Sequence, residues 1–447
     1  MDRRKHLVRI NITVPLLAIL VSMQSLGSRL NGQETPKKTA QPSQATTATA
    51  MPAGWPGFLG ARRDGISTEQ GLAKAWPKDG LKEVWRVDGG VGMSGVAVDS
   101  GRAITLVQRE ERQWLIALDA KTGANLWKTE LAPAYSNSMG NGPRGTPAIA
   151  GGRIFAYTGE GILVCVEAES GKKIWSHHVI KELNGKEAEY GMAASPLVIG
   201  KQVIVFGSGP QATLVAYDTE TGKMTWKAGE DPIGYSSPTR LTVGAKEQLV
   251  AFAGTAALGI DPERGTVLWR YPFETSFSCN IAAPIAVAGK VFLSAGENHG
   301  SVLLDIKGTG QGSEVQEVWS SLGPKSVLRS EWQTPVLLDG YLYGMDNVGG
   351  AGPVTHLTCI EAATGKRMWQ VPRFGKGNLI AADGKLLIST MNGEFVLAAA
   401  SPEKYQELGR QNVLGSTRQA PSLAQGLVYL RDDREVVCLD LRTGVQR

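Results

Sequence analysis

Eleven residues of this 447-residue chain have side chains and placement suited to chemistry. Arg144, Glu189, Asn280, Arg329, Glu331, Trp332, Lys376 and Arg418 fall in polar stretches just ahead of apolar, strand-like runs, and are the candidates for holding a cofactor. Glu297, Asn298 and Asp346 fall in a second set of polar stretches and offer the several oxygens that a hard cation such as calcium wants. Tyr190, Tyr235, Ser278 and Asn378 accompany the first set; Glu160, His299 and Asn347 accompany the second. A general base would need to be a carboxylate within hydrogen-bond reach of the proton it takes. Loops are polar in any case, so the plainer reading of these residues is an ordinary solvated rim, and that reading is preferred.

Other signals fail on context. Gly90-Val91-Gly92-Met93-Ser94-Gly95 matches a dinucleotide fingerprint, but a strand-like run follows it. The pyrophosphate needs a helix N-terminus at that point, so the segment is read as a turn. His177 and His178 are adjacent and point apart on a strand or turn; His299 and His356 are too few for zinc without carboxylate help. No nucleophile elbow, zinc-protease motif or phosphate-binding loop occurs.

The elements that must position the eleven residues are announced by one phrase. It reads Ala117-x-Asp119 with Gly123 and Trp127, Cys165-x-Glu167 with Gly171 and Trp175, and Ala216-x-Asp218 with Gly222 and Trp226. Gly259-x-Asp261 with Gly265 and Trp269, and Cys359-x-Glu361 with Gly365 and Trp369, complete five full copies. They recur every 40 to 55 residues, one of them skipped, which is the period of a β-propeller blade. The acid is expected to accept turn N–H groups, the glycine to supply a positive φ in a bulged hairpin, and the tryptophan to pack on the next blade. All three roles are structural.

Eight strand starts can be counted. Six carry proline, after Thr146, Ser195, Ser237, Ala283, Thr334 and Ala420; the others open at Gly95 and Asn378. The last unit stops after Asp440 and Gly444 without a fourth strand, whereas residues 82–87 form a tryptophan-bearing strand without a hairpin before it. These two fragments are expected to make one blade and close the ring, which removes exposed sheet edges. In blades five and seven, where the phrase has decayed, Trp319 and residues 405–408 are expected to serve. The expected fold is therefore all-β: an eight-bladed propeller of four-stranded antiparallel blades over 82–447.

The spacing Ala-x-Asp-x-x-Thr-Gly-x-x-x-Trp resembles the repeat of eight-bladed pyrroloquinoline quinone (PQQ) propellers, a likeness that covers 82–447. Two branches share it. Quinoprotein alcohol dehydrogenases of the bacterial periplasm bind the quinone and a calcium ion above the central channel. The propeller subunit of the outer-membrane β-barrel assembly machinery is non-catalytic and binds proteins through its loops. The opening Trp55-Pro56-Gly57-Phe58-Leu59-Gly60 is similar to the leader of secreted propellers described only as PQQ-like. By the dehydrogenase resemblance, the Arg and Lys candidates would surround the quinone carboxylates, with an aromatic face beneath. The chain departs from that branch in having no adjacent cysteine pair, no C-x-x-C-H and no long roofing insertions. It departs from the assembly branch in having no lipid-acceptor cysteine after its apolar leader.

The leader, 1–27, combines Arg3, Arg4, Lys5 and Arg9 with an apolar run around Val14 to Val21 and small residues Ser25 and Gly27, the pattern of a secretory signal. It supplies three of the five net positive charges, and no basic stripe remains elsewhere, so nucleic acid is not an expected partner. Residues 28–50 read as a disordered linker and 51–81 as an extension packing near one face of the propeller. Of four cysteines, Cys165, Cys359 and Cys438 occupy the slot that Ala117 and Ala216 fill elsewhere, so they read as buried strand residues; only Cys279 lies in a connecting loop. The preferred reading is a periplasmic or secreted monomer with no transmembrane domain after cleavage and no cofactor. It binds an envelope or secreted protein or polymer. The alternatives are a PQQ- and calcium-dependent alcohol dehydrogenase and a carbohydrate-binding propeller.

Overall fold

The computed structural model describes residues 54–77, 79–350 and 354–442. The secretory-signal and linker expectations for 1–50 lie outside them. Among the described residues the chain forms eight four-stranded antiparallel sheets. Seven are sequential meanders, beginning with strands Ala97–Asp99, Ala148–Ala150, Leu197–Ile199, Thr239–Val243, Ile285–Val287, Val336–Leu338 and Gly377–Ala382. The eighth combines Ser422–Ala424, Leu427–Arg431 and Glu435–Asp440 with Lys82–Asp88 from the other end of the sequence. Lys82 pairs with Asp440 and Asp88 with Glu435, which is the expected closure of the ring.

The middle strands of a blade are covered on both faces by neighbouring blades, and their sequences are continuous apolar runs in place of an alternation. Leu163, Val164, Cys165 and Val166 are all fully buried. Ile104, Leu106, Leu115 and Ala117 of the first blade form one core with Ile154, Ala156, Val164 and Val166 of the second.

The repeated phrase behaves as its parts dictate. Asp119 accepts from the N–H of Lys121 (3.0 Å) and Thr122 (2.8 Å) and from the Thr122 hydroxyl (2.9 Å), and Asp218 and Asp261 hold their own turns likewise. Gly123 adopts φ 73° within the bulged hairpin. A side chain there would collide with Trp85, the outer-strand tryptophan of the preceding blade. Trp127 covers Gly171, Trp175 covers Gly222, Trp226 covers Gly265 and Trp319 covers Gly365 in the same way. The indole N–H of Trp85 donates to Ala120 O (3.0 Å) and that of Trp319 to Ala362 O (3.0 Å), so each ring joins two blades. Directly across from these rings stand small residues, Ala117 facing Trp127 and Cys165, Cys359 and Cys438 facing Trp175, Trp369 and Trp85. The three cysteines are buried and free.

A second belt links the blades nearer the axis. At the four marked prolines that follow a hydroxyl residue, that hydroxyl accepts a backbone N–H from the blade before: Thr146 from Gly95 (3.2 Å), Ser195 from Thr146 (2.9 Å), Ser237 from Ser195 (2.9 Å), and Thr334 from Ala283 (2.9 Å).

The seventh blade departs from expectation. Gly409 pairs with Leu397 where the other blades carry tryptophan, and the ring over it is that of Trp76 of the N-terminal extension, a residue whose backbone N–H donates to Leu408 O (3.2 Å). Tyr405 packs instead on Trp369 of the sixth blade, with ring centroids 6.0 Å apart. The extension also crosses the first strands of the blades. Trp55 bridges to Val98, Pro56 O accepts from Ile149, and Gly65 O accepts from Ala381. The buried Arg63 donates to Ser195 O (3.1 Å) and Pro196 O (2.8 Å) of the third blade. Among the described residues no helix is long and apolar enough to cross a membrane.

Candidate functional site

The polar loops ahead of the first strands converge on one mouth and enclose a recess of about 520 Å³. Six of the eleven candidates border it: Arg144, Glu297, Glu331, Trp332, Lys376 and Arg418. Tyr190 and Tyr235 join them, their rings stacked at 5.7 Å. Glu297 comes from a loop between second and third strands, so both sets of loops reach this mouth. Phe58 of the extension lines the recess as well. A recess of similar volume between the first two blades contains none of the candidates.

The engagement of these side chains decides what they can do. Arg144 donates from Nε to Tyr190 O (2.6 Å), from Nη1 to Gly142 O (2.6 Å) and from Nη2 to Gly140 O (2.7 Å), with its plane over Tyr135. It is a brace between its own loop and that of Tyr190, and burial pulls its pKa down. Arg329 grips Asp346, Nε to Oδ1 at 2.7 Å and Nη2 to Oδ2 at 2.9 Å, while Nη1 donates to Pro324 O (2.7 Å). The Asp346 side chain is fully buried and also accepts from Gln370 (3.1 Å). Two residues selected for different ligands thus hold each other. Asn280 is buried and donates to Ala253 O (2.7 Å) and Phe273 O (2.9 Å). Asn298 accepts from Gly349 N–H (2.9 Å). Glu189 is exposed and stands outside the recess lining, its backbone carbonyl accepting from Asn137.

On the remaining side of the recess sits a cation–aromatic group. Lys376 Nζ lies 4.1 Å from the Trp332 ring centroid and the Arg418 guanidinium 4.9 Å from it. Lys376 pairs with Glu331 at 2.9 Å, and Glu331 also accepts from Asn347 (2.7 Å). Burial raises the Glu331 pKa against the opposing pull of Lys376. Arg418 donates from Nη1 to Met139 O (2.6 Å) and touches the Met93 sulfur at 3.6 Å.

Apolar residues that the sequence reading passed over complete the recess: Phe58, Met93, Met139, Phe277 and Ile281, together with Cys279. Phe277 is 65% exposed at positive φ, and Met139 is 37% exposed. Their loop positions resembled any other connection, and nothing local marks Phe58 as reaching the mouth. Elsewhere, His177 faces Glu182 and stacks on Tyr217, and His299 packs on Phe273. Among the described residues no three His, Cys, Asp or Glu side chains gather as for a metal ion.

Eight four-stranded blades with a recess at one mouth make this an eight-bladed β-propeller. The chain belongs to the PQQ-like propeller family whose model, described as outer membrane protein assembly factor BamB, matches residues 111–371. It is similar to outer membrane protein assembly factor BamB of Yersinia pestis, 23% identical over 76% of this chain and 85% of that protein. It is also similar to quinohemoprotein alcohol dehydrogenase ADH IIB of Pseudomonas putida, 29% identical over 28% of this chain but only 19% of that enzyme. Among solved structures, a europium-containing methanol dehydrogenase superposes with a TM-score of 0.62 at 15% identity, covering 84% of this chain and 89% of the other. BamB from Moraxella catarrhalis gives 0.54 at 15% identity, with 82% and 99% covered. Both superpositions concern the fold alone.

Proposed function

We propose that this chain is a non-catalytic binding scaffold, periplasmic or secreted, whose mouth-side recess and apolar rim take a protein or polymer ligand. One observation carries the reading: most residues suited to a quinone or to calcium are bonded to the protein or stand away from the recess. Arg144 and Arg329 direct their donors at carbonyls and at Asp346. Of the three oxygen-bearing candidates for calcium only Glu297 borders the recess. A quinone with calcium fits that donor set poorly. The exposed Phe277 and Met139 give the mouth the apolar character of a partner-binding surface. The basic and apolar leader supports export, and the family description, which names an outer membrane assembly factor, supports a protein ligand in the cell envelope.

The test has two arms. Thermal unfolding of the mature chain is expected to be unchanged by PQQ plus calcium, since only a ligand that binds the native state raises the melting temperature. A photo-crosslinking residue in place of Phe277, in cells of the native host, is expected to give a discrete adduct. A melting shift that requires both quinone and calcium would overturn the scaffold reading in favour of an alcohol-oxidising enzyme.

A further inference from the structure

We infer that the recess receives the C-terminal end of a polypeptide, apolar in side chain, and that Arg418 is the residue that reads its carboxylate. The inference rests on the scaffold reading and names the ligand's chemistry.

Three cationic and two carboxylate side chains border the recess. Arg144 is held by carbonyls and Lys376 is paired with Glu331. Arg418 differs. Only its Nη1 has a hydrogen-bond partner among the described residues, and its Nε–Nη2 edge has none. That edge is one of the two with which guanidinium takes a carboxylate in parallel hydrogen bonds. The molecule itself shows the arrangement in Arg329, whose Nε and Nη2 meet the two oxygens of Asp346 at 2.7 and 2.9 Å. Trp332 lies against the Arg418 guanidinium, 4.9 Å from ring centroid to Cζ.

The rest of the recess states what the carboxylate is attached to. Met93, Tyr190, Tyr235 and Ile281 offer apolar and aromatic wall. Phe58, from the segment that crosses the first strands, lines the recess as well, and a volume of about 520 Å³ suits the last few residues of a chain. Apolar surface continues outside the recess on Met139 and Phe277. A small aromatic acid would leave that rim uncovered, whereas a polypeptide tail covers it. An end, a carboxylate and an apolar stretch leading out together describe a C-terminus.

Fluorescence anisotropy on the mature protein tests this with an N-terminally labelled hexapeptide ending in leucine and phenylalanine. It is offered as the free acid and as the C-terminal amide, with 3-phenylpropionate as a competing small acid. The free acid is expected to bind about tenfold or more tightly than the amide, equivalent to about 1.4 kcal/mol. In Arg418→Gln the acid-to-amide ratio should fall to about one, and in Arg418→Lys to an intermediate value, because lysine keeps charge without the fork. A ratio is read, so a general loosening of the loops, which weakens both peptides alike, does not imitate the result. Equal binding of acid and amide, or a ratio that survives in Arg418→Gln, overturns the inference while leaving the scaffold reading standing. Phenylpropionate binding as tightly as the peptide overturns it in favour of a small-acid site. No binding by any probe up to about 1 mM, the weak end of specific affinity, also overturns the inference, and the scaffold reading is then decided by its own melting and crosslinking arms.

Discussion

The indole of Trp76 lies on Gly409 where seven other blades place a tryptophan of their own outer strand. It also packs on Phe395, with ring centroids 5.5 Å apart. The extension therefore completes the seventh blade as Lys82–Asp88 completes the eighth, and the propeller is fastened twice by residues from the N-terminal side.

The two residues should be coupled. Trp76→Ala is expected to cost about 2–4 kcal/mol, slightly below the range for a fully buried ring because this one is half-buried. Gly409→Ala should be at least as damaging, because the added Cβ runs into the ring. With the ring gone, Gly409→Ala should cost little, giving a strongly non-additive double mutant. Urea denaturation of the four proteins measures the cycle, and additive losses would show that the ring does not occupy that space in solution.

What was legible in the sequence follows from the range of the interactions. The blades, their eight starts and the closing strand are written in local spacings, because one hairpin uses acid, glycine and tryptophan within nine residues, as Asp119, Gly123 and Trp127 do. The recess is built from single residues of separate loops, and no local pattern records which of them meet. Arg144, Glu331, Trp332, Lys376 and Arg418 were found because loops before first strands gather at one mouth. That rule could not tell that Arg329 and Asp346, 17 residues apart, neutralise each other. Nor could it place Trp76, whose partners Phe395 and Gly409 lie far along the chain, or Phe58, which meets residues of several separate loops.

The hydroxyl belt is open to a single-atom test. Ser195 Oγ accepts the buried N–H of Thr146 at 2.9 Å. Ser195→Ala leaves that N–H without a partner and should cost about 1–3 kcal/mol. Ser195→Thr, which keeps the oxygen, should cost clearly less. Denaturation midpoints at unchanged slope report the difference, and an alanine variant as stable as the parent would remove the belt from the account of how blades adhere.

Glu331 gives a pH dependence of defined sign. Its folded pKa is raised, chiefly by burial, so the native state binds its proton more readily than the unfolded chain does. Its contribution to stability consequently falls as pH rises through the window above the ordinary value of about 4.3, and grows as pH is lowered through it. Glu331→Gln should flatten that part of the stability–pH curve and leave the rest in place. Protonation also removes a negative charge from the recess, so the free-acid hexapeptide should bind more tightly across the same window in the parent and not in the variant. A parent and variant with superimposable stability–pH curves would mean that this carboxyl is not held in a desolvated setting.

Cys279 provides the probe of the recess itself. It borders the cavity and is partly exposed, whereas Cys165, Cys359 and Cys438 are buried in blade strands. Burial first, and then the nearby carboxylates of Glu297, Glu331 and Glu189, push its thiol up to about 11. At pH 7 only about one molecule in ten thousand then carries the reactive thiolate. Native protein should therefore take a single maleimide label, slowly, with a rate that climbs about tenfold per pH unit between about pH 7 and 9. Intact mass and peptide mapping identify the adduct, and an occupied recess should slow it. A second native adduct would show that a blade strand opens on the labelling timescale. A rate indifferent to pH would show that the recess does not hold this thiol protonated.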